Sequence, residues 1–182
     1  TLEKALKRVQ DMIREGADII DIGAESSRPL AHPVAPNIEC DQVVSMVKAI
    51  RLISDIPLSV DTTHAMTARA ALQSGADIIN DISALQHDPE MIQVIQDFNC
   101  PVVLMHMRGN PMTMQSNTQY DDLIFTLRKF FQERIEFIQS HGVLPENIIL
   151  DPGIGFGKSV AGNLLILKNL DQIFPQFPIL MG

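Results

Sequence analysis

Gly16-Ala17-Asp18-Ile19-Ile20-Asp21-Ile22-Gly23 and Gly75-Ala76-Asp77-Ile78-Ile79-Asn80-Asp81-Ile82 open on the same five residues, GADII, 59 positions apart. Each copy closes a helical pattern and opens a short apolar strand that ends on polar residues. Before the first copy, Leu2, Leu6, Val9, Met12 and Ile13 fall at three- and four-residue spacings, which predicts an amphipathic helix over 2–14. The gap accommodates two strand–helix units of about 30 residues each. The repeat is therefore read as architecture.

Working outward, strands are predicted over 57–61 and 101–106, each introduced by a proline, which a strand tolerates at its first residue. Two more follow at 147–151 and 178–182. Helical stretches separate them at 38–53, 64–74, 88–98, 121–140 and 162–173. Asp88-Pro89 and Asp121-Asp122 read as helix starts with acidic first turns, which suit the positive end of the helix dipole. Strict alternation of strand and helix implies parallel strands with right-handed crossovers.

A doubly wound sheet and a barrel share that order, and the polar strand ends separate them. Asp21, Asp61, Asn80, His106 and Asp151 each end an apolar strand. An open sheet gathers its ligand at one switch point, whereas a barrel brings every strand end to one pocket at its C-terminal face. The predicted fold is an α/β (β/α)8 TIM barrel, here about six consecutive βα units with the first strand and the last units missing. Residues 1–182 are expected to form a single domain. A whole barrel takes about 250 residues, so the chain is expected to be the inner part of a longer enzyme. The strands at 18–22 and 178–181 would then meet the missing ones.

Hydrophobic residues at 46% and charged residues at 20% exclude a disordered chain. The net charge of −8, without a basic stretch, argues against a nucleic-acid partner. No apolar run approaches the ~18 to 20 residues of a membrane span. Cys40 and Cys100 have no metal-site spacing and read as reduced thiols of a cytoplasmic protein.

Asp151-Pro152-Gly153-Ile154-Gly155-Phe156-Gly157-Lys158-Ser159 matches neither a Walker A loop, which needs Gly at position 152, nor GxGxxG, which needs Gly at 158. Its glycines leave two readings open: amides free for a close ligand, or a turn that requires positive φ. Ionised Asp61 and Asp151 only accept hydrogen bonds and suit a heterocycle that presents paired N–H donors, while Asn80 offers a donor and an acceptor. Taken singly, each is also a candidate helix cap. Arg28, in the loop Glu25-Ser26-Ser27-Arg28-Pro29, has the fork geometry for phosphate oxygens, or is a solvated arginine. The five histidines show no HxH or HExxH pairing, and His106 reads as a supporting imidazole. The apolar residues of 121–140 are core packing.

Taken in order, Asp21-Ile22-Gly23-Ala24-Glu25-Ser26-Ser27-Arg28-Pro29, Ser59-Val60-Asp61-Thr62, Ile79-Asn80-Asp81, Leu104-Met105-His106-Met107-Arg108-Gly109-Asn110-Pro111 and Asp151-Pro152-Gly153-Ile154-Gly155-Phe156-Gly157-Lys158 resemble the dihydropteroate synthase family of the pterin-binding barrels. The resemblance covers positions 21 to 158. It implies condensation of 6-hydroxymethyl-7,8-dihydropterin pyrophosphate with 4-aminobenzoate to dihydropteroate and pyrophosphate, in folate biosynthesis. It places Asp61, Asn80, Met105 and Asp151 around the pterin. Ser27 and Arg28 fall in a loop closing over the second substrate, and Phe156 and Lys158 where the two substrates meet, with Arg28 and Lys158 as the catalytic pair. Mg2+ is expected with the pyrophosphate, but no metal ligand in this chain, because the family's Asn ligand would lie before Thr1. The implied partners are these small molecules, and a homodimer is left open. The implied protein is a cytoplasmic sulfonamide target. A methyltetrahydrofolate-dependent methyltransferase and a non-catalytic pterin-binding paralogue are the alternatives. The chain departs from the family's usual residues at Ala24, where Gly is usual, at Ser27, where Thr is usual, and at Leu30, where Gly is common.

Overall fold

The computed structural model describes residues 2–24 and 34–182. In chain order the elements are α1 (Leu2–Arg14), β1 (Ile20–Gly23), α2 (Pro36–Arg51), β2 (Leu58–Asp61), α3 (Ala65–Gln73), β3 (Ile78–Asp81), α4 (Met91–Phe98), β4 (Val102–Met105), α5 (Leu123–Ser140), β5 (Ile148–Asp151), α6 (Val160–Lys168) and α7 (Leu170–Ile173). The strands form one parallel sheet in the order β1-β2-β3-β4-β5. A doubly wound sheet reverses its order at a switch point. Sequential neighbours, all with crossovers of one hand, put every helix on the same side, which is the arrangement of a (β/α)8 barrel.

Register sorts the strand residues onto two faces, because side chains alternate along a strand. Ile22 pairs with Val60, Val60 with Ile79, Ile79 with Val102 and Val102 with Ile148. Those residues, with Ile20, Leu58, Leu104 and Leu150, form the outer face and join one core with Val43, Val47 and Ile50 of α2 and Leu127 and Phe131 of α5. Each such side chain contributes about 1.5–3 kcal/mol of apolar burial. The other face carries Asp21, Ser59, Asp61, Asn80, Val103, Met105, Ile149 and Asp151. Val103 and Met105 are buried there, outside the helix-side core.

Several expected boundaries shift for identifiable reasons. The sixth strand is reduced to one parallel bridge, Leu150 to Ile179. A turn closed by Phe177 N–H on the Phe174 carbonyl leaves only 178–180 extended, held by Leu150 N–H to Pro178 O at 2.9 Å and Leu180 N–H to Leu150 O at 2.8 Å. Asp88 serves both helices: its Oδ1 accepts the Glu90 N–H at 3.0 Å just ahead of α4, which begins at Met91, and its Oδ2 accepts the Ala65 N–H at 2.8 Å and so caps α3. Asp122 is the N-cap of α5, accepting from Phe125 N–H at 2.9 Å. The helix expected over 162–173 breaks at Asn169, whose side chain turns back to the Leu165 carbonyl at 2.7 Å. Cys40 and Cys100 are both free.

Candidate functional site

Four of the expected ligand residues stand on one face near the C-terminal ends of three adjoining strands and β5. Asp61 is level with Asn80, and Met105 is level with Asp151. Adjacent strands lie about 4.8 Å apart, so each pair is in side-chain reach. Asp61 is half-buried, while Asn80, Met105 and Asp151 are 9%, 2% and 6% exposed. Asn80 Nδ2 donates to Asp21 Oδ2 at 3.4 Å, which leaves Asn80 Oδ1 buried and without a partner among the described residues. A buried acceptor left open costs about 1–3 kcal/mol, a cost that a ligand N–H would recover. Burial raises the Asp151 pKa above the usual carboxylate value, against the Gly153 N–H bond and the nearby Lys158 charge.

Above this face opens a cavity of about 590 Å³, lined among others by Asp61, Thr62, His64, Met105, Asn110 and Phe130. Asn80 and Asp151 do not line this cavity, whereas their ladder partners Asp61 and Met105 do. Asp81, adjacent in sequence to Asn80, points the other way. It is fully buried and accepts from Ser83 N–H at 2.7 Å, Ser83 Oγ–H at 2.6 Å and Leu85 N–H at 3.0 Å, so it shapes the turn after β3.

The 151–158 loop departs from expectation at Lys158. Its Nζ is buried and donates to the carbonyls of His106 (3.0 Å), Gly153 (2.8 Å) and Phe156 (2.9 Å). An ammonium has three donors, so none is left for a ligand. Lys158 staples the loop. Burial lowers its pKa to about 7, with Asp151 acting in the opposite direction. The glycine loop likewise is a built turn: Gly153 N–H bonds Asp151 Oδ1 at 2.7 Å and Gly155 N–H bonds Asn163 Oδ1 at 3.1 Å. Phe156 is half-buried in that turn. His106 is 5% exposed, edge-on to Phe130 with centroids 4.9 Å apart, and burial, reinforced by the Lys158 charge, lowers its pKa to about 3. It is a neutral, supporting imidazole.

Ser27 and Arg28 lie outside the described residues. Glu39 is the site residue that the sequence reading missed: it is 1% exposed and sits in the cavity wall. A signal was present, since Glu39, Val43, Val47 and Ile50 share the helical spacing of one buried face. A carboxylate at a core position of a helix needs partners.

A model of the family described as pterin binding enzyme matches residues 1–182. The chain belongs to the pterin-binding enzyme family. The chain is 45% identical over 183 residues to a dihydropteroate synthase of Synechocystis sp., covering 100% of itself and 63% of that relative. It superposes with a TM-score of 0.96, at 40% identity, on the crystal structure of Yersinia pestis dihydropteroate synthase with a sulfonamide drug complex, covering 100% of this chain and 66% of that one. Dihydropteroate synthase from Xanthomonas albilineans in complex with 7,8-dihydropteroate gives a TM-score of 0.87 at 34% identity, with 100% and 63% covered. The chain thus spans a little under two thirds of these relatives. None of the described helices is long and apolar enough to cross a membrane.

Proposed function

We propose that the protein containing this chain is a dihydropteroate synthase, and that residues 1–182 act as one pterin-binding barrel domain within it. The observation that carries the reading is the shared face of Asp61, Asn80, Met105 and Asp151, with the open Asn80 Oδ1 among them. The dihydropteroate bound by the Xanthomonas relative supports it. In this reading Asp151 accepts two hydrogen bonds from the guanidine-like edge of the ring, Asn80 Oδ1 takes a further N–H, and Met105 packs on the ring. The amine nitrogen of 4-aminobenzoate forms a C–N bond to the pterin methylene carbon. The C–O bond breaks with its electron pair going to pyrophosphate, and the amine proton passes to water. An aniline nitrogen is nucleophilic already, so no strong base is needed. Asp61 supplies negative charge beside the developing cation. Arg28 forks onto the departing oxygens, and Ser27 and Phe156 frame the aminobenzoate.

Among the described residues no group of three His, Cys, Asp or Glu side chains could hold a metal ion. The described part of the site therefore does not fit a magnesium cage. Any Mg2+ would accompany the pyrophosphate as a hard, oxygen-preferring ion, and the roles of Asp61, Asn80, Met105 and Asp151 do not involve it. The protein is proposed to be cytoplasmic, to act on small molecules and to work as a homodimer. The sulfonamide bound by the Yersinia relative supports sulfonamide sensitivity.

The test is pyrophosphate release by the full-length protein with dihydropterin pyrophosphate, 4-aminobenzoate and magnesium. Turnover that Arg28→Ala depresses far more than it weakens pterin binding is the expected result. Pterin binding without pyrophosphate release would overturn the synthase reading in favour of a binding protein or a methyltransferase.

A further inference from the structure

The bonds of Lys158 close a circuit around Asp151. His106 N–H donates to the Asp151 carbonyl at 2.9 Å, and the His106 carbonyl accepts from Lys158 Nζ at 3.0 Å. Lys158 Nζ also donates to the Gly153 carbonyl at 2.8 Å, and Gly153 N–H donates back to Asp151 Oδ1 at 2.7 Å. One buried ammonium thus ties the loops after β4 and β5 together beside a single carboxylate. Holding the loops does not by itself require a cation, which is costly to bury. The same two loops are joined without charge by Gln115 Nε2 to the Gly155 carbonyl at 2.7 Å and by Tyr120 O–H to the Gly157 carbonyl at 3.0 Å.

The circuit gives Asp151 a direction and a charge. An ionised carboxylate has about four acceptor sites, so with Oδ1 held by Gly153 N–H the group still offers the rest of its plane, in a set orientation. Burial raises the Asp151 pKa, and the Gly153 bond and the Lys158 charge work against that rise. The other charged or titratable groups nearby supply no such help. His106 is neutral, with its pKa lowered by burial to about 3, and Arg108 is turned over the Tyr120 ring at 3.8 Å from its centroid. Asp21 and Asp61, on the same inner face, are carboxyl groups themselves.

We propose that Lys158 is the positioning residue for Asp151 in pterin recognition. It aims the carboxylate through Gly153 and keeps beside it the positive charge that favours the accepting form. This rests on the dihydropteroate synthase reading, in which Asp151 holds the pterin.

The test is calorimetry of 6-hydroxymethyl-7,8-dihydropterin binding to the full-length protein as a function of pH. Affinity falls as acid protonates Asp151, and burial lowers the Lys158 pKa only to about 7, so the acid limb is read where Lys158 is an ammonium. Lys158→Met removes the link and the charge together. It should raise Kd about tenfold, the equivalent of one charge-assisted hydrogen bond. Without the ammonium, protonation of Asp151 sets in sooner, so the acid limb should move to higher pH by about one unit. Tyr120→Phe, which loosens the same two loops without touching the circuit, should lower the melting temperature and leave Kd and the acid limb in place. An unmoved Kd, a weaker Kd with an unmoved acid limb, or a Tyr120→Phe shift matching that of Lys158→Met would overturn the role. If Lys158→Met does not fold, Lys158→Gln, neutral but still an amide donor, decides by the same two quantities. A wild-type protein that does not bind the dihydropterin would refute the synthase reading. Wild-type binding that Lys158→Met leaves unchanged would refute the positioning role alone.

Discussion

Gly153 and Gly155 both lie in the left-handed region, at φ +67° and +82°, yet their surroundings differ. A Cβ on Gly155 meets nothing within 4 Å, whereas one on Gly153 would lie 2.1 Å from the His106 carbonyl oxygen and 3.2 Å from Lys158 Nζ. Gly155→Ala should therefore cost only the left-handed strain, about 1–2 kcal/mol. Gly153→Ala carries the same strain and must also push apart the β4 and β5 loops. That overlap costs about 1–3 kcal/mol as overpacking. The displaced His106 carbonyl also loses the Lys158 ammonium, a charge-assisted bond of about 1.5–3 kcal/mol. The gap between the two variants should be at least about 2.5 kcal/mol. Urea unfolding of the full-length variants measures it, and at about 2–4 °C per kcal/mol the melting temperatures should separate clearly. Two variants unfolding within about 1 kcal/mol of each other would refute the reasoning, because they would show that the loops are not in contact through Gly153.

Three further outcomes are expected. Asp151→Ala should weaken pterin binding at least about tenfold, since each charge-assisted bond lost is worth about 1.5–3 kcal/mol, and unchanged calorimetric affinity would remove Asp151 from the site. Lys158→Met leaves three carbonyls without their donor and should cost about 3 kcal/mol of stability; loss of turnover at wild-type stability would instead put Lys158 in the reaction centre. His106 has a folded pKa near 3 against 6.5 unfolded, so between those values the unfolded chain binds a proton that the folded chain does not. Stability must then fall as pH drops below 6.5, by up to about 3 kcal/mol at pH 4. Burial raises Asp81 and Asp151, which act in the opposite sense, so the contribution of His106 is the difference in acid slope between wild type and His106→Gln. Equal slopes would contradict a buried neutral imidazole.

Much of the architecture was legible in the chain itself, because it rests on local chemistry. The GADII repeat, the helical spacing and the proline-led strands located the elements of the described barrel, except that α6 and α7 read as one helix, the sixth strand is a single bridge, and two short 3-10 turns, at Met114–Ser116 and Pro145–Asn147, went unread. Apolar strands ending on Asp, Asn or His were legible as a pocket because an apolar strand has no use for a charged last residue unless the strand ends converge. Partners distant in sequence were not legible. Asp88 has the local form of a cap for its own helix and its Oδ1 does meet the Glu90 amide, but its Oδ2 is taken by the distant amide of Ala65. Lys158 and the glycines before it fit a ligand loop as well as a staple, and the choice turns on where the His106 carbonyl lies.

Composition and periodicity alone determined the parallel α/β class and the identity of the strand-end groups, since both follow from which side chains repeat at which spacing. Tertiary structure alone decided which way those groups point. Asn80 and Asp81 are consecutive, polar and at the end of one strand. The ladder sets Asn80 beside Asp61 on the inner face and buries Asp81 against the turn after β3. With a side-chain period of two, a register shift of one residue would exchange them, and register is a property of neighbouring strands that no single stretch of sequence contains.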